Sequence, residues 1–299
     1  MAAGDRLCAL VLSHHSPELL GRMLQRLDQF GVTCFVHVDR KIAITPFKTR
    51  CEPLGAKFIR DRVEIKWGGY SIVEATLNLI EAALAGGDFT HFLLLSGDTY
   101  PVRARSEFRD YLTSRSSRIQ IREVPRTEAI YQRISRVYIP DSRAGALIST
   151  GGDPSVHRYV TSDLVSEFPD IEEACALKRR EFPWKFGKGS QWWSLTRAAV
   201  ERCLEAIERH GDYVKWFRYS SVPDESFFQS LFLNFVTEPA ITTPPVFTVW
   251  DRCPRPYIFS TAEDLVLLDR CKTVLARKFS EESIPALDQL DIALDSDRS

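Results

Sequence analysis

Three short apolar runs, Arg6 to Ser13, Val32 to Val38 and His91 to Leu95, each run into polar or acidic residues, and helical periodicity fills the gaps between them. Runs this short and this continuously apolar read as strands buried on both faces, the condition of a parallel sheet covered by helices. Pro17 opens a helical pattern through Leu19, Leu20, Met23 and Leu27 that Gly31 ends, and Ser71 to Ala85 reads as a second helix stopped by Gly86-Gly87. This alternation predicts an α/β fold with a central, mostly parallel sheet flanked by helices. Such sheets bind ligands at the carboxyl ends of their strands. Asp39 and Asp98 stand just past two of those ends, which places both at the expected ligand edge.

Further along, Lys57 to Ile59 reads as a short strand, Phe108 to Leu112 as a helix and Ile119 to Val124 as a strand. Residues 125–188 are irregular, apart from a turn at Gly151-Gly152-Asp153-Pro154 and a charged helix within Ser162 to Arg180. Gln191 to Leu195 reads as a strand on which Trp192 and Trp193 alternate, followed by a helix from Arg197 to Arg209. A strand at Phe247 to Trp250, a helix at Asp264 to Leu268 and an extended run at Val274 to Phe279 complete the reading. No linker or repeat divides the chain, so residues 1–279 read as one domain. Residues 280–299 read as an acidic tail that frays.

The 299 residues carry 39 basic and 40 acidic side chains. This near balance supplies no global basic field for nucleic acid or an anionic membrane. No apolar run reaches the roughly 18 residues of a membrane-spanning helix. Met1 to Asp5 lacks a basic leader segment, so the expected location is cytoplasmic, with peripheral contact at the inner face of the membrane left open. Seven cysteines without a CxxC pair fit reduced thiols. Six histidines show no metal spacing, and neither a metal nor another cofactor is expected.

The segment Pro223-Asp224-Glu225-Ser226-Phe227-Phe228 places a carboxylate at the start of an apolar helix read from Ser226 to Phe235. Free N–H groups at such a start favour an ionised acid, and an ionised, positioned Glu is what a general base requires. The alternative is that Asp224 and Glu225 simply decorate a helix start. No GxGxxG follows the first strand, and no GxxxxGK[ST] or GxSxG occurs anywhere. Dinucleotide, P-loop and α/β-hydrolase readings therefore lose support. The strand ending at Asp98 offers one acid where metal-dependent sugar-nucleotide enzymes of similar architecture place two. The literal Asp-x-Asp, Asp295-Ser296-Asp297, lies in the tail. Without a metal, a diphosphate would be neutralised by fixed cations such as Arg255, Arg277 and Lys278. Trp67-Gly68-Gly69 and Gly189-Ser190-Gln191-Trp192-Trp193 each pair glycine with tryptophan. That pairing suits a sugar ring lying on an aromatic face, or equally a packed turn.

Read in order, Trp67-Gly68-Gly69, Leu95-Ser96-Gly97-Asp98-Thr99-Tyr100-Pro101, Gly189 to Trp193, Pro223 to Phe228 and Ala276-Arg277-Lys278-Phe279 resemble glycosyltransferase family 14. This is the core-2/I-branching β-1,6-N-acetylglucosaminyltransferase and peptide O-xylosyltransferase family. The resemblance implies a GT-A fold, a UDP-sugar donor and metal-independent inversion at the anomeric carbon. It implies Glu225 as catalytic base and Arg255 and Lys278, with Arg277 beside them, as holders of the donor diphosphate. It also implies Asp39 at the uridine, and Trp67, Gly68, Asp98, Ser190, Gln191 and Trp192 around the donor sugar and acceptor. The WGG, ESFF and ARKF forms look more like the xylosyltransferase branch, but Gln191 stands where that branch carries an acid, so the donor sugar is xylose or N-acetylglucosamine. Lacking a signal anchor, stem and disulfide set, the chain looks like a bacterial-type catalytic domain. Its expected acceptor is a glycan or lipid-linked glycan in surface polysaccharide synthesis. Two other classes stay open: a nucleotide-sugar or glycan-binding protein without catalysis, and a glycoside hydrolase using a carboxylate pair such as Asp98 and Glu225.

Overall fold

A computed structural model describes residues 5–113, 116–139, 147–148, 166, 168–250, 256–269 and 271–296. The first half alternates as the pattern predicts: β1 (Leu7–Ser13), α1 (Pro17–Gln29), β2 (Val32–Val38), α2 (Thr45–Cys51), β3 (Lys57–Phe58), α3 (Ser71–Gly86) and β4 (His91–Ser96). Then come β5 (Tyr100–Pro101), α4 (Arg105–Leu112), β6 (Arg122–Glu123), α5 (Gln132–Ser135), β7 (Val137–Tyr138), β8 (Leu147–Ile148) and α6 (Ile171–Lys178). The second half comprises β9 (Gly187–Lys188), β10 (Ser194–Thr196), α7 (Arg197–Arg209), α8 (Gly211–Arg218), α9 (Phe227–Phe235), β11 (Val246–Thr248), α10 (Ala262–Asp269), β12 (Leu275–Arg277) and α11 (Ile284–Ser296).

The main sheet has the order β10-β4-β1-β2-β3. β1 pairs in parallel with β2 and β4, β2 pairs in parallel with β3, and β10 alone runs antiparallel, against β4. Every residue of β1 and β4 is buried, as uninterrupted apolar runs covered on both faces must be. From β1 the chain builds outward through β2 to β3, then places β4 on the other side of β1. The carboxyl ends of β1 and β4 therefore flank the point where strand order reverses, the usual crevice for a ligand in open α/β sheets. A second sheet, β11-β12-β5, joins the first directly behind Asp98. There the Phe279 N–H donates to the Asp98 carbonyl at 3.0 Å.

Two sequence expectations are corrected. Residues from Ser280 do not fray: a Ser280–Ser283 capping box starts the segment, and α11 follows with Leu287, Leu290 and Leu294 buried. Its acids meet α1, with Arg22 at 2.6 Å from both Asp288 and Asp291 and Arg26 at 2.8 Å from Asp295. An apolar stripe and a complementary basic helix outweigh the acidic composition that suggested fraying. Trp192 and Trp193 do not alternate on a strand, because β10 begins only at Ser194, and both indoles are buried. Of the charged helix expected within Ser162 to Arg180, Ser166 and α6 are helical among the described residues. The Gly151–Pro154 turn, Asp297 and Arg255 lie outside the described residues. No described helix is long and apolar enough to cross a membrane.

Candidate active site

Glu225 is not in the first turn of an α-helix, as its neighbours in sequence suggest. Pro223–Glu225 form a separate 3₁₀ turn, Ser226 (φ −144°) breaks the register, and α9 begins at Phe227. The apolar side chains that announce the helix are anchored as a block. Phe227 packs edge-on against Tyr70, Tyr213 and Phe217, and the Tyr213 hydroxyl donates to the Phe227 carbonyl at 2.7 Å. The preceding acids are thereby lifted out of the helix onto a ledge. The WGG turn supports that ledge: Gly68, at φ +77°, occupies the left-handed region, and its carbonyl accepts from the Val222 N–H at 2.8 Å.

Two cations hold Glu225. Arg133 Nη1 lies 2.8 Å from Oε2, and Lys188 Nζ lies 3.4 Å from the same oxygen. Both engage Oε2, and the Glu225 side chain as a whole is 30% exposed. Neither cation was legible in sequence, since both sit in the irregular stretch 125–188 and belong to elements only a few residues long. Asp224 presents a different environment. Its Oδ1 is enclosed with no hydrogen-bond partner among the described residues. Burial, and then the neighbouring Glu225 carboxylate, push its carboxyl up to about 7.

The segment Gly189–Trp193 connects this ledge to a second charged cluster. The Gly189 N–H donates to the Glu225 carbonyl at 2.9 Å. A Cβ on Gly189 would stand 1.7 Å from the Gln120 carbonyl oxygen, so only glycine fits. The Ser190 hydroxyl accepts from the Trp192 N–H at 3.2 Å, and the Ser190 carbonyl accepts from Gln229 Nε2 at 2.6 Å. Gln191 Nε2 is enclosed with no partner among the described residues. The Trp192 ring lies beneath the Arg277 guanidinium, 4.9 Å from centroid to Cζ.

Arg277 in turn grips Asp98, with Nη2 3.2 Å and 3.3 Å from its two oxygens, and Lys278 Nζ lies 3.3 Å from Oδ2. The Ser96 hydroxyl donates to Oδ1. Burial raises the Asp98 carboxyl, but Arg277, the Ser96 hydroxyl and Lys278 outweigh it and hold it below its ordinary value. His14 and His15 follow β1 on the same edge, and burial holds both imidazoles below their ordinary value.

Asp39 closes the edge at β2. Its N–H donates to the Ser13 carbonyl at 2.9 Å, and its carboxylate accepts from the Lys41 N–H at 3.0 Å with Lys41 Nζ 3.3 Å away. Arg62 caps the strand end by donating to the Val38 and Asp39 carbonyls, both at 2.7 Å. His37 Nε2 accepts from the Val63 N–H at 2.8 Å, a contact that needs a neutral ring; burial supplies one by lowering its pKa to about 4. These bonds hold the β2 end and the Arg62–Ile65 turn together.

The structure thus brings Asp39, Asp98, Arg277 and Lys278 to neighbouring strand ends, and Ser190, Gln191 and Trp192 between them and Glu225. Trp67 differs in that its indole is 85% exposed. A cavity of about 880 Å³, lined by Arg40, Arg62, Lys66, Tyr70, Arg218 and Tyr219 among others, adjoins the WGG turn but is not lined by Glu225, Asp98, Arg277 or Lys278.

Residues 18–266 match the family model Branch, Core-2/I-Branching enzyme. That span includes Asp39, Trp67, Asp98, Gln191 and Glu225; Arg277 and Lys278 lie beyond it. A search of curated proteins finds no match.

Proposed function

The chain belongs to the core-2/I-branching enzyme family of glycosyltransferases, and we propose that it transfers xylose or N-acetylglucosamine from a UDP-sugar to an acceptor hydroxyl with inversion and without a metal. The observation that carries this reading is the single segment Gly189–Trp192, which ties the Glu225 ledge at one end to the Arg277–Lys278–Asp98 cluster at the other. A base and a cationic seat for a leaving group, held rigidly across a strand-end crevice, are the two requirements of an in-line displacement.

In this mechanism Glu225 accepts the proton of the acceptor hydroxyl through Oε1. The acceptor oxygen forms its bond to C1 of the α-linked donor as the C1–phosphate bond breaks. The electron pair leaves on the β-phosphate of UDP, where Lys278 and Arg277 meet the developing charge, with Arg255 as a third cation. Asp39 orients the uridine, while Gly68, Ser190, Gln191, Trp192 and Trp67 border the sugar. The enclosed, unpartnered Gln191 Nε2 supports a polar ligand at that position. Asp98 already has both carboxylate oxygens on cations, so its role is to hold Arg277 and Lys278 in place. That arrangement favours fixed cations as the neutralising groups and gives no support to an Asp98–Glu225 hydrolase pair. The acceptor is a glycan or lipid-linked glycan met at the cytoplasmic face of a membrane.

The test is calorimetric titration of the protein in EDTA with UDP, UDP-xylose and UDP-N-acetylglucosamine, followed by turnover of the preferred donor. Binding of one sugar nucleotide in EDTA, with turnover reduced about 10²–10⁴-fold in Glu225→Gln, is the expected result. Binding or turnover that appears only with Mn²⁺ would overturn the metal-free reading.

A further inference from the structure

Lys178, the last residue of α6, is a buried amine far from the charged cluster at Asp98 in sequence and in none of the motifs. Its Nζ donates to the Ile134 carbonyl at 2.6 Å and to the Ser220 hydroxyl at 2.8 Å, and it lies 5.4 Å from the centroid of the Trp216 ring. The Ser220 hydroxyl passes the bond on to the Trp216 carbonyl at 2.7 Å. Burial drives the amine well below its ordinary value. An apolar side chain would fill the same space without that desolvation cost. What the amine adds is a pair of directed bonds between two elements that also meet at the Arg133–Glu225 ion pair.

Those two elements are the ones that set Glu225. Ile134 directly follows Arg133 on the four-residue helix α5, and Arg133 holds Glu225 Oε2. Ser220 opens the segment that runs through Ser221 and Val222 into the 3₁₀ turn bearing Glu225. The same two elements meet once more where the Ser221 N–H donates to the Arg133 carbonyl at 3.0 Å. A helix of one turn has little stability of its own, so the direction in which Arg133 points depends on what pins α5 from behind.

Resting on the reading of Glu225 as the base, we propose that Lys178 is a positioning residue: it acts as a strut joining α5 to the 220–225 segment, so that Arg133 meets Oε2 of Glu225 and leaves Oε1 aimed at the acceptor hydroxyl. Lys178 contacts no substrate. Its effect reaches the reaction through Arg133, which distinguishes it from a residue that merely fills the core.

The experiment compares wild type, Lys178→Met, Arg133→Gln, the double variant and Glu225→Gln in the full-length protein. Each is measured for UDP affinity by calorimetry, for UDP release from UDP-xylose and UDP-N-acetylglucosamine with water as acceptor, and for amide hydrogen exchange at Ser221. In Lys178→Met the Ser221 amide is expected to exchange about tenfold faster while amides of β1 are unchanged. Its kcat should fall about 10–100-fold with UDP affinity within about twofold of wild type. In the Arg133→Gln background the added loss should be under about threefold, since residues acting in series are not additive. Unchanged Ser221 exchange, unchanged kcat, or losses that multiply in the double variant would each overturn the strut. Full turnover by Glu225→Gln would instead refute the base assignment. If wild type turns over neither nucleotide, the Ser221 amide decides the strut alone. Should Lys178→Met fail to fold, Ser220→Ala removes the other end of the strut and is read the same way.

Discussion

Replacing Asp224 with asparagine should remove a loss of stability that the native protein undergoes as pH rises from about 4 through about 7. The Asp224 carboxyl is raised from 3.8 to about 7, first by burial and then by the adjacent Glu225 carboxylate. Between those two values the native state holds a proton that the unfolded chain has released. Stability from this group is therefore fully present below 3.8 and falls as pH rises toward 7. At about 1.4 kcal/mol per unit, a difference of 7 − 3.8 amounts to about 4 kcal/mol by pH 8, of which about 2–3 kcal/mol is lost between pH 5 and pH 8. Asparagine has the same shape and no titration. The enclosed Oδ1 position lacks a partner in either case, so any cost of the amide is constant with pH and cancels in the comparison. Urea unfolding of both proteins at pH 5, 6, 7 and 8 reads the effect directly. The stability of Asp224→Asn relative to wild type should climb by about 2–3 kcal/mol across that range. Parallel pH profiles would refute the reasoning, because they would mean that Asp224 is solvated or partnered and that the ledge beside Glu225 is open to water.

Lys278→Ala should weaken UDP binding about tenfold or more, the loss of one charge-assisted contact. Unchanged UDP affinity by calorimetry would remove Lys278 from the diphosphate seat. Leu287→Ala, at a fully buried position of α11, should cost about 2–4 kcal/mol in urea unfolding. A negligible change would show that the C-terminal helix does not pack on the domain.

The central sheet was open to reading because parallel strands buried on both faces are apolar at every position, and such runs need no partner to be recognised. β2 and α7 match their expected bounds residue for residue, and β1 and β4 to within one residue. The placing of Asp39 and Asp98 at one edge of the sheet followed from the same pattern, since both stand just past strands whose direction the helical crossovers impose. Glu225 was found by its neighbours, Pro223 before it and the aromatic helix after it. Its surroundings were not. Arg133 and Lys188 lie in elements of four and two residues, too short to leave a period, and they reach Glu225 across 92 and 37 positions (225 − 133 and 225 − 188).

The C-terminal segment carries the same lesson with the opposite sign. Acidic composition alone suggested a frayed end, yet Asp288, Asp291 and Asp295 recur at helical spacing and face Arg22 and Arg26 of α1, while Leu287, Leu290 and Leu294 turn inward. The sequence by itself determined the α/β sheet, the strand ends at which Asp39 and Asp98 stand and the family motifs, because buried periodicity and short motifs are local properties of the chain. Only the tertiary structure decided which cations hold Glu225, that both oxygens of Asp98 meet Arg277 and Lys278, and that the buried Lys178 links Ile134 to Ser220, because charge pairing is settled by distances between segments that the order of residues does not record.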